Sequence, residues 1–134
     1  VISCDLNCLK HANDIYGHQT GDRLIVLAAE ILKSAAPPNS IVTRHGGDEF
    51  FILIPNATEL TAMRFLENVY AGCRGINEEP FGSPSISMGF AIKYNPGESI
   101  NDIIDKADFL MYESKRNFKN AAAADKYNYR GALN

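Results

Sequence analysis

At 134 residues the chain is long enough for one domain with a single buried core. Hydrophobic residues at 46% and charged residues at 22% are the proportions of an ordinary globular domain, and a formal net charge of -3 removes the electrostatic case for binding a nucleic-acid polymer. No apolar run approaches the roughly 20 residues that a bilayer span requires, so no membrane contact is expected of this domain.

Residues 1–4 are apolar and read as the end of a buried strand whose beginning lies outside the sequence. Asp5 closes that run at a strand's C-terminal end, where α/β-type sheets present ligands. From Asp22 onward Leu24, Ile25, Ala28, Ile31, Leu32 and Ala35 recur at helical spacing, and Pro37 with Pro38 ends that helix. Residues 40–44 and 49–54 are rich in β-branched and aromatic side chains and flank Gly46-Gly47, which predicts a β-hairpin. Leu60, Met63, Leu66, Val69, Tyr70 and Cys73 form the stripe of a second helix. Residues 85–93 alternate, with Ile86, Met88, Phe90 and Ile92 on one face and Ser85, Ser87, Gly89 and Ala91 on the other, a strand with one strongly apolar face. Ile100, Ile103, Ile104, Ala107, Leu110 and Met111 predict a third helix, with Asn101, Asp102, Asp105, Lys106 and Asp108 largely on its solvated side. The order strand, helix, strand, strand, helix, strand, helix suits an α+β fold, an α/β sandwich whose mostly antiparallel sheet packs on helices. The domain is expected to span residues 1–120. The tail, 121–134, opens on four alanines that could be a helix extension, a linker or an appended stretch, and carries no assigned function.

Cys4, Cys8 and Cys73 are odd in number and match no zinc spacing. Cys4 and Cys73 sit among apolar residues and read as small core hydrophobes. All three suit a reducing cytosol, so a cytoplasmic location is expected, with any membrane anchor on other domains of a parent protein.

The stretch Arg44-His45-Gly46-Gly47-Asp48-Glu49-Phe50 is the most informative. Paired glycines supply positive φ angles in a hairpin and leave room for a ligand. A plain Gly-Gly turn with its acids in water is the simpler alternative. Against it stands Asp5: if the first strand lies beside the hairpin, Asp5, Asp48 and Glu49 cluster. A divalent cation relieves the repulsion of three such carboxylates, and hard oxygen ligands suit Mg²⁺ or Mn²⁺, which would bring nucleotide phosphates with them.

With these residues in view, the chain over residues 1–120 resembles the GGDEF family of diguanylate cyclases. The naming signature stands at Gly46-Gly47-Asp48-Glu49-Phe50. A second signature runs Asp5-Leu6-Asn7-Cys8-Leu9-Lys10 and continues through Asn13-Asp14, Gly17-His18 and Gly21-Asp22. Ser87-Met88-Gly89 and the stretch from Ala107-Asp108 through Tyr112 to Lys115 are similar to the family's serine-hydrophobic-glycine strand and last helix. The resemblance implies a ferredoxin-like, palm-type sheet similar to nucleotidyl cyclase catalytic domains. It also implies an enzyme that condenses two GTP into cyclic di-GMP and two pyrophosphates across a homodimer, with sensory or regulatory domains elsewhere in the parent protein.

By the same resemblance Asp5, the Leu6 carbonyl, Asp48 and Glu49 hold two Mg²⁺ (or Mn²⁺) ions per active site, and Asp48 and Glu49 are both candidates for the base. Asn13 and Asp22 would read guanine, whose N1–H and exocyclic amino group are adjacent donors that a carboxylate accepts as a pair. Such sites discriminate by up to about 10⁴-fold. The bland alternatives are a helix N-cap for Asp22 and a turn or capping role for Asn13. Gly17, His18 and Gly21 would shape the loop around the base, His18 as a structural hydrogen-bonder. Gly47, without a side chain, counts among the substrate-contacting positions, and Lys10 lies next to the phosphates. Lys115 and Lys119 match basic positions for the terminal phosphate, Lys119 standing where the family usually has arginine and so giving a point charge instead of a fork. Their alternative is favourable charge near a helix C-terminus.

Asn7 stands where many members carry a second aspartate and Leu9 where many carry phenylalanine, a known variant. The Asp-x-Leu-Thr-Gly-Leu-x-Asn-Arg-like stretch that precedes the family's first strand is missing. A catalytically inactive GGDEF domain that binds GTP or a partner protein is the second reading, disfavoured by the intact Asp5, Asn13, Asp22, Asp48 and Glu49. A more distant nucleotidyl cyclase or polymerase palm is disfavoured by the hairpin signature. The Arg-x-x-Asp motif of the inhibitory product site is replaced by Pro37-Pro38-Asn39-Ser40. Cyclic di-GMP titrated into a turnover assay should therefore show no tight inhibition through this segment; sub-micromolar inhibition mapped to residues 37–40 would overturn this.

Overall fold

The computed structural model of the chain describes residues 1–131, with side chains described to residue 124. Residues 132–134, the end of the tail, lie outside the described residues. The elements run β1 (Ile2–Leu6), α1 (Leu9–Tyr16), α2 (His18–Ala35), β2 (Ile41–Gly46), β3 (Glu49–Leu53), α3 (Glu59–Arg74), β4 (Ile86–Phe90) and α4 (Ile100–Gly131). The four strands form one antiparallel sheet in the order β2-β3-β1-β4. This is the α+β architecture expected, with β1 at the centre between the hairpin and β4.

Because side chains alternate along a strand, β1 divides the molecule into two layers. Ile2, Cys4 and Leu6 face one way and join Phe50, Ile52, Ile86 and Met88 in a core closed by Leu24, Ala28, Ile31 and Leu32 of α2 and Phe65, Val69 and Cys73 of α3. Burying each large side chain of this kind contributes about 1.5–3 kcal/mol. Ser3 and Asp5 face the other way, toward α4, together with Ser87 and Gly89 of β4.

Several details differ from the sequence-based expectation. Helix α1 was not foreseen, because only Leu9 and Ala12 of its eight residues are buried and the remainder shows no apolar stripe. Helix α2 starts at His18, so Gly21 and Asp22 belong to its first turns and not to a loop. On α3 the buried residues are Ala62, Phe65, Val69 and Cys73, while Leu60, Met63 and Tyr70 are exposed. Ala62 and Phe65, which lie off the stripe expected from the sequence, are buried instead. The Ser87–Gly89 face of β4, whose surroundings the alternation left open, is buried beneath α4. Asp108 is likewise turned inward, accepting a hydrogen bond from Ser3 Oγ at 2.5 Å. The backbone of α4 continues as helix through residues 121–124 to Gly131.

Gly89 sets how closely α4 lies on the sheet. A Cβ there would come within 2.2 Å of the Met111 main-chain nitrogen and 2.5 Å of the Ala107 carbonyl oxygen. Both atoms belong to helix backbone and cannot rotate aside. Gly89→Ala should therefore destabilise the fold by at least the ~1–3 kcal/mol typical of overpacking, and chemical denaturation would measure it; an unchanged midpoint would show that α4 can lift without penalty.

Candidate active site

The hairpin and β1 assemble the acidic residues through backbone register. Asp5 is the cross-strand partner of Glu49 on one side and of Ser87 on the other. Directly opposed residues of an antiparallel pair share a face, with Cα atoms about 4.5–5.5 Å apart. Glu49 thus stands beside Asp5 on the α4 side of the sheet. Asp48 precedes the strand, in the turn, and its carbonyl accepts from the Leu6 main-chain N–H at 2.8 Å. That bond fixes the turn to the end of β1. Arg44, a residue that sequence reasoning passed over, donates from Nε and Nη2 to the Gly47 carbonyl at 3.1 and 2.9 Å. Gly47 has φ +48°, a left-handed value that suits glycine, and open space lies where its side chain would be.

The electrostatics converge on Asp5. Its side chain is only 4% exposed, and Lys115 of α4 donates to its Oδ1. The same ammonium lies 3.9 Å from Asp48 Oδ2. Burial pushes the Asp5 carboxyl above its ordinary range; the bond from Lys115 opposes this, and the charges of Asp48 and Glu49 push it further up. Both hairpin acids therefore lie within electrostatic reach of Asp5. Among the described residues no group of three His, Cys, Asp or Glu side chains already forms a cation cage. The donor set nevertheless fits a hard divalent cation: it is all oxygen, and two of its carboxylates already flank one positive group.

Asn7, at the departure from the family's second aspartate, is buried. Its amide donates to Ser85 Oγ at 3.0 Å and accepts from Ser87 Oγ at 3.0 Å. An aspartate could accept from the serines but could not donate, so the neutral amide suits this pair of hydroxyls. The side chain of Leu6 is in the core, leaving its main chain as the part available at the strand end.

The remaining expected residues are more dispersed. Asn13, on α1, lays its amide over α2 at Gly21, where a Cβ would fall 1.6 Å from Asn13 Oδ1. This brings Asn13 to the residue next to Asp22. Asp22 itself is exposed and is not the N-cap of α2, a position that Gly17 fills. It lines a cavity of about 320 Å³ with Arg23, Glu78 and Phe81, Arg23 bonding Glu78 at 2.9 Å. A second cavity, of about 330 Å³, lies among Asn7, Cys8, His11, Tyr16, Phe81 and Phe118. Asn13 lines neither. Lys10 is exposed in the first turn of α1, and Lys119 is exposed one turn beyond Lys115. His18 is the first residue of α2. Cys4 and Cys73 are buried and Cys8 is exposed.

Comparison with known proteins gives this geometry a context. Residues 1–121 match the family model described as "Diguanylate cyclase, GGDEF domain". Diguanylate cyclase DgcM of Escherichia coli is 30% identical over 121 residues, covering 90% of this chain and 29% of that protein. Diguanylate cyclase A of Treponema denticola is 29% identical, covering 96% of this chain and 35% of that protein. The chain thus spans about a third of the length of these curated relatives. Among solved structures, the GGDEF domain of DgcB from Caulobacter crescentus in complex with c-di-GMP superposes with a TM-score of 0.78 at 30% identity, covering 87% of this chain and 71% of that one. The active GGEEF domain of a diguanylate cyclase from Vibrio cholerae superposes with a TM-score of 0.79 at 27% identity, covering 87% and 75%. Among the described residues no helix is long and apolar enough to cross a membrane.

The raised Asp5 carboxyl has a consequence for stability without metal. The native state holds the proton more tightly than the unfolded chain, so stability falls as pH rises from about 4 through the raised value and stays lower above it. In EDTA at neutral pH, Asp5→Asn should unfold at the same temperature as the parent or higher, an advantage that fades below about pH 4. Thermal unfolding across that range checks it; a marked loss at pH 7 would show that the ion pair outweighs the burial.

Proposed function

The chain belongs to the GGDEF family of diguanylate cyclase domains, and on that premise we propose that it joins two GTP molecules into cyclic di-GMP, releasing two pyrophosphates. The observation that carries this reading is the antiparallel pairing of Asp5 with Glu49, with Asp48 held at the turn beside them. Two Mg²⁺ or Mn²⁺ ions, held by Asp5, Asp48, Glu49 and the Leu6 carbonyl, would supply charge for the triphosphate and acidify the attacking 3′-hydroxyl.

The other steps fall to the chain's own groups. Asp48 or Glu49 takes the proton from the 3′-hydroxyl of one GTP as its oxygen bonds to the α-phosphorus of the other. The bond from that phosphorus to the bridging oxygen breaks, and pyrophosphate leaves with the electron pair. Lys10, Lys115 and Lys119 neutralise the phosphates, and Gly47 leaves them room. Asn13 and Asp22 select guanine, Asn13 drawn to its place by the missing side chain at Gly21. Each subunit carries one GTP, and closing the ring takes two such bonds, so two copies must present their sites face to face. Sensory or regulatory domains of the parent protein would control that meeting, in the cytoplasm.

Incubating the chain with GTP and Mg²⁺ and separating the products by chromatography tests the reading directly. Cyclic di-GMP should form at a rate that rises faster than linearly with protein concentration, and Glu49→Gln should abolish it while circular dichroism stays unchanged. GTP binding without turnover would favour a regulatory module instead, and product from the Glu49→Gln protein would sink the metal assignment.

A further inference from the structure

We propose that Lys115 is a tethered counter-cation of the carboxylate cluster, so that loading a divalent cation and releasing the Lys115 ammonium are one exchange. The inference deepens the proposed function and rests on its reading of Asp5 and Asp48 as metal ligands. Lys115 reaches both of them at once, bonded to Asp5 Oδ1 and 3.9 Å from Asp48 Oδ2. Asp5 is almost wholly buried, and among the described residues Lys115 supplies its one ion pair. A charge in that setting is unfavourable unless a cation accompanies it. A divalent ion competes with the ammonium for Asp5 Oδ1, the oxygen that Lys115 already occupies, and the two repel each other at contact distance.

The packing of α4 dictates how the exchange proceeds. The Gly89 contact and the Ser3–Asp108 bond hold the helix backbone against the sheet just before Lys115. The helix axis is therefore a poor route of escape. The lysine side chain is 22% exposed, so it has a path to water, and its four-carbon stem can swing by changing rotamers. The exchange is a side-chain movement over a fixed backbone. Its thermodynamic mark is a metal affinity lowered by the ammonium that must first be displaced.

Two measurements made without nucleotide test this. Mn²⁺ binding followed by electron paramagnetic resonance should be about tenfold tighter for Lys115→Met than for the parent, the scale of removing one competing charge-assisted bond. Lys115→Arg, which keeps the charge, should not show that gain. In the parent protein, the side-chain ¹⁵N signal of Lys115 should move from a paired to a free position in step with Mg²⁺ occupancy; this reading needs no variant to fold. Equal or weaker Mn²⁺ binding by Lys115→Met, or a Lys115 signal that stays paired at saturating Mg²⁺, overturns the exchange. Asp48→Asn separates the two levels: if it binds Mn²⁺ as the parent does, the assigned metal site is wrong and the exchange falls with it. If it loses Mn²⁺ while Lys115→Met gains nothing, the exchange alone is wrong.

Discussion

The contact between the backbone of α4 and the sheet at Gly89 is the constraint from which the rest of the molecule follows. A helix normally stands off a sheet by the thickness of two layers of side chains. Here one layer is missing at the crossing point, with Ala107 on the helix and glycine on the strand. The helix is drawn in far enough for short polar groups to meet across the interface. Ser3 reaches Asp108, and about two turns further along Lys115 reaches Asp5. A polar seam thus runs along the inner side of α4, whereas the opposite face of β1 is wholly apolar.

That difference between the two faces explains why an acidic site can exist at the centre of a small domain. β1 is buried along its length, and a carboxylate on a central strand would ordinarily be disfavoured. It is tolerated because the α4 face is populated by serines, a glycine and a lysine, and because the sheet ends there in a turn that keeps Asp48 and Glu49 half in water. The hydrophobic layer beneath supplies the stability; the polar layer above carries the residues to which the proposed chemistry falls. Asn7 joins the two at the strand end, its backbone and amide both bonded to Ser85.

Much of this was legible in the sequence. β1 followed from its apolar run, the hairpin from Gly46-Gly47 between β-branched and aromatic stretches, and β4 from two-residue alternation, signals that act over a few residues; the acidic trio followed only on the condition that β1 lies beside the hairpin, as it does. What escaped was of longer range. Asp108 reads as solvated because polarity normally marks exposure, and only the approach of α4 explains why it turns inward, as it explains the burial of the serine-glycine face of β4. Helix α1 escaped because it buries just two residues. Arg44 could not be found because its partner is a backbone carbonyl, which no side-chain pattern announces. Asn13 and Asp22 were singled out by resemblance alone, and the fold adds the reason that Gly21 must be small: the amide of Asn13 lies on it.

The pairing of Asp5 with Glu49 makes the hairpin sensitive to parity in a way that its individual side chains are not. Consecutive residues of β3 alternate between the two layers, Glu49 toward α4 and Phe50 into the core. Deleting or inserting one residue between the turn and β3 would exchange those destinations along the strand, sending a carboxylate into the apolar layer and a phenyl ring into the acidic site. Conservative replacements within the turn alter its chemistry by degrees. A change of length by one destroys site and core together, so the number of residues there is under tighter physical restriction than their identity.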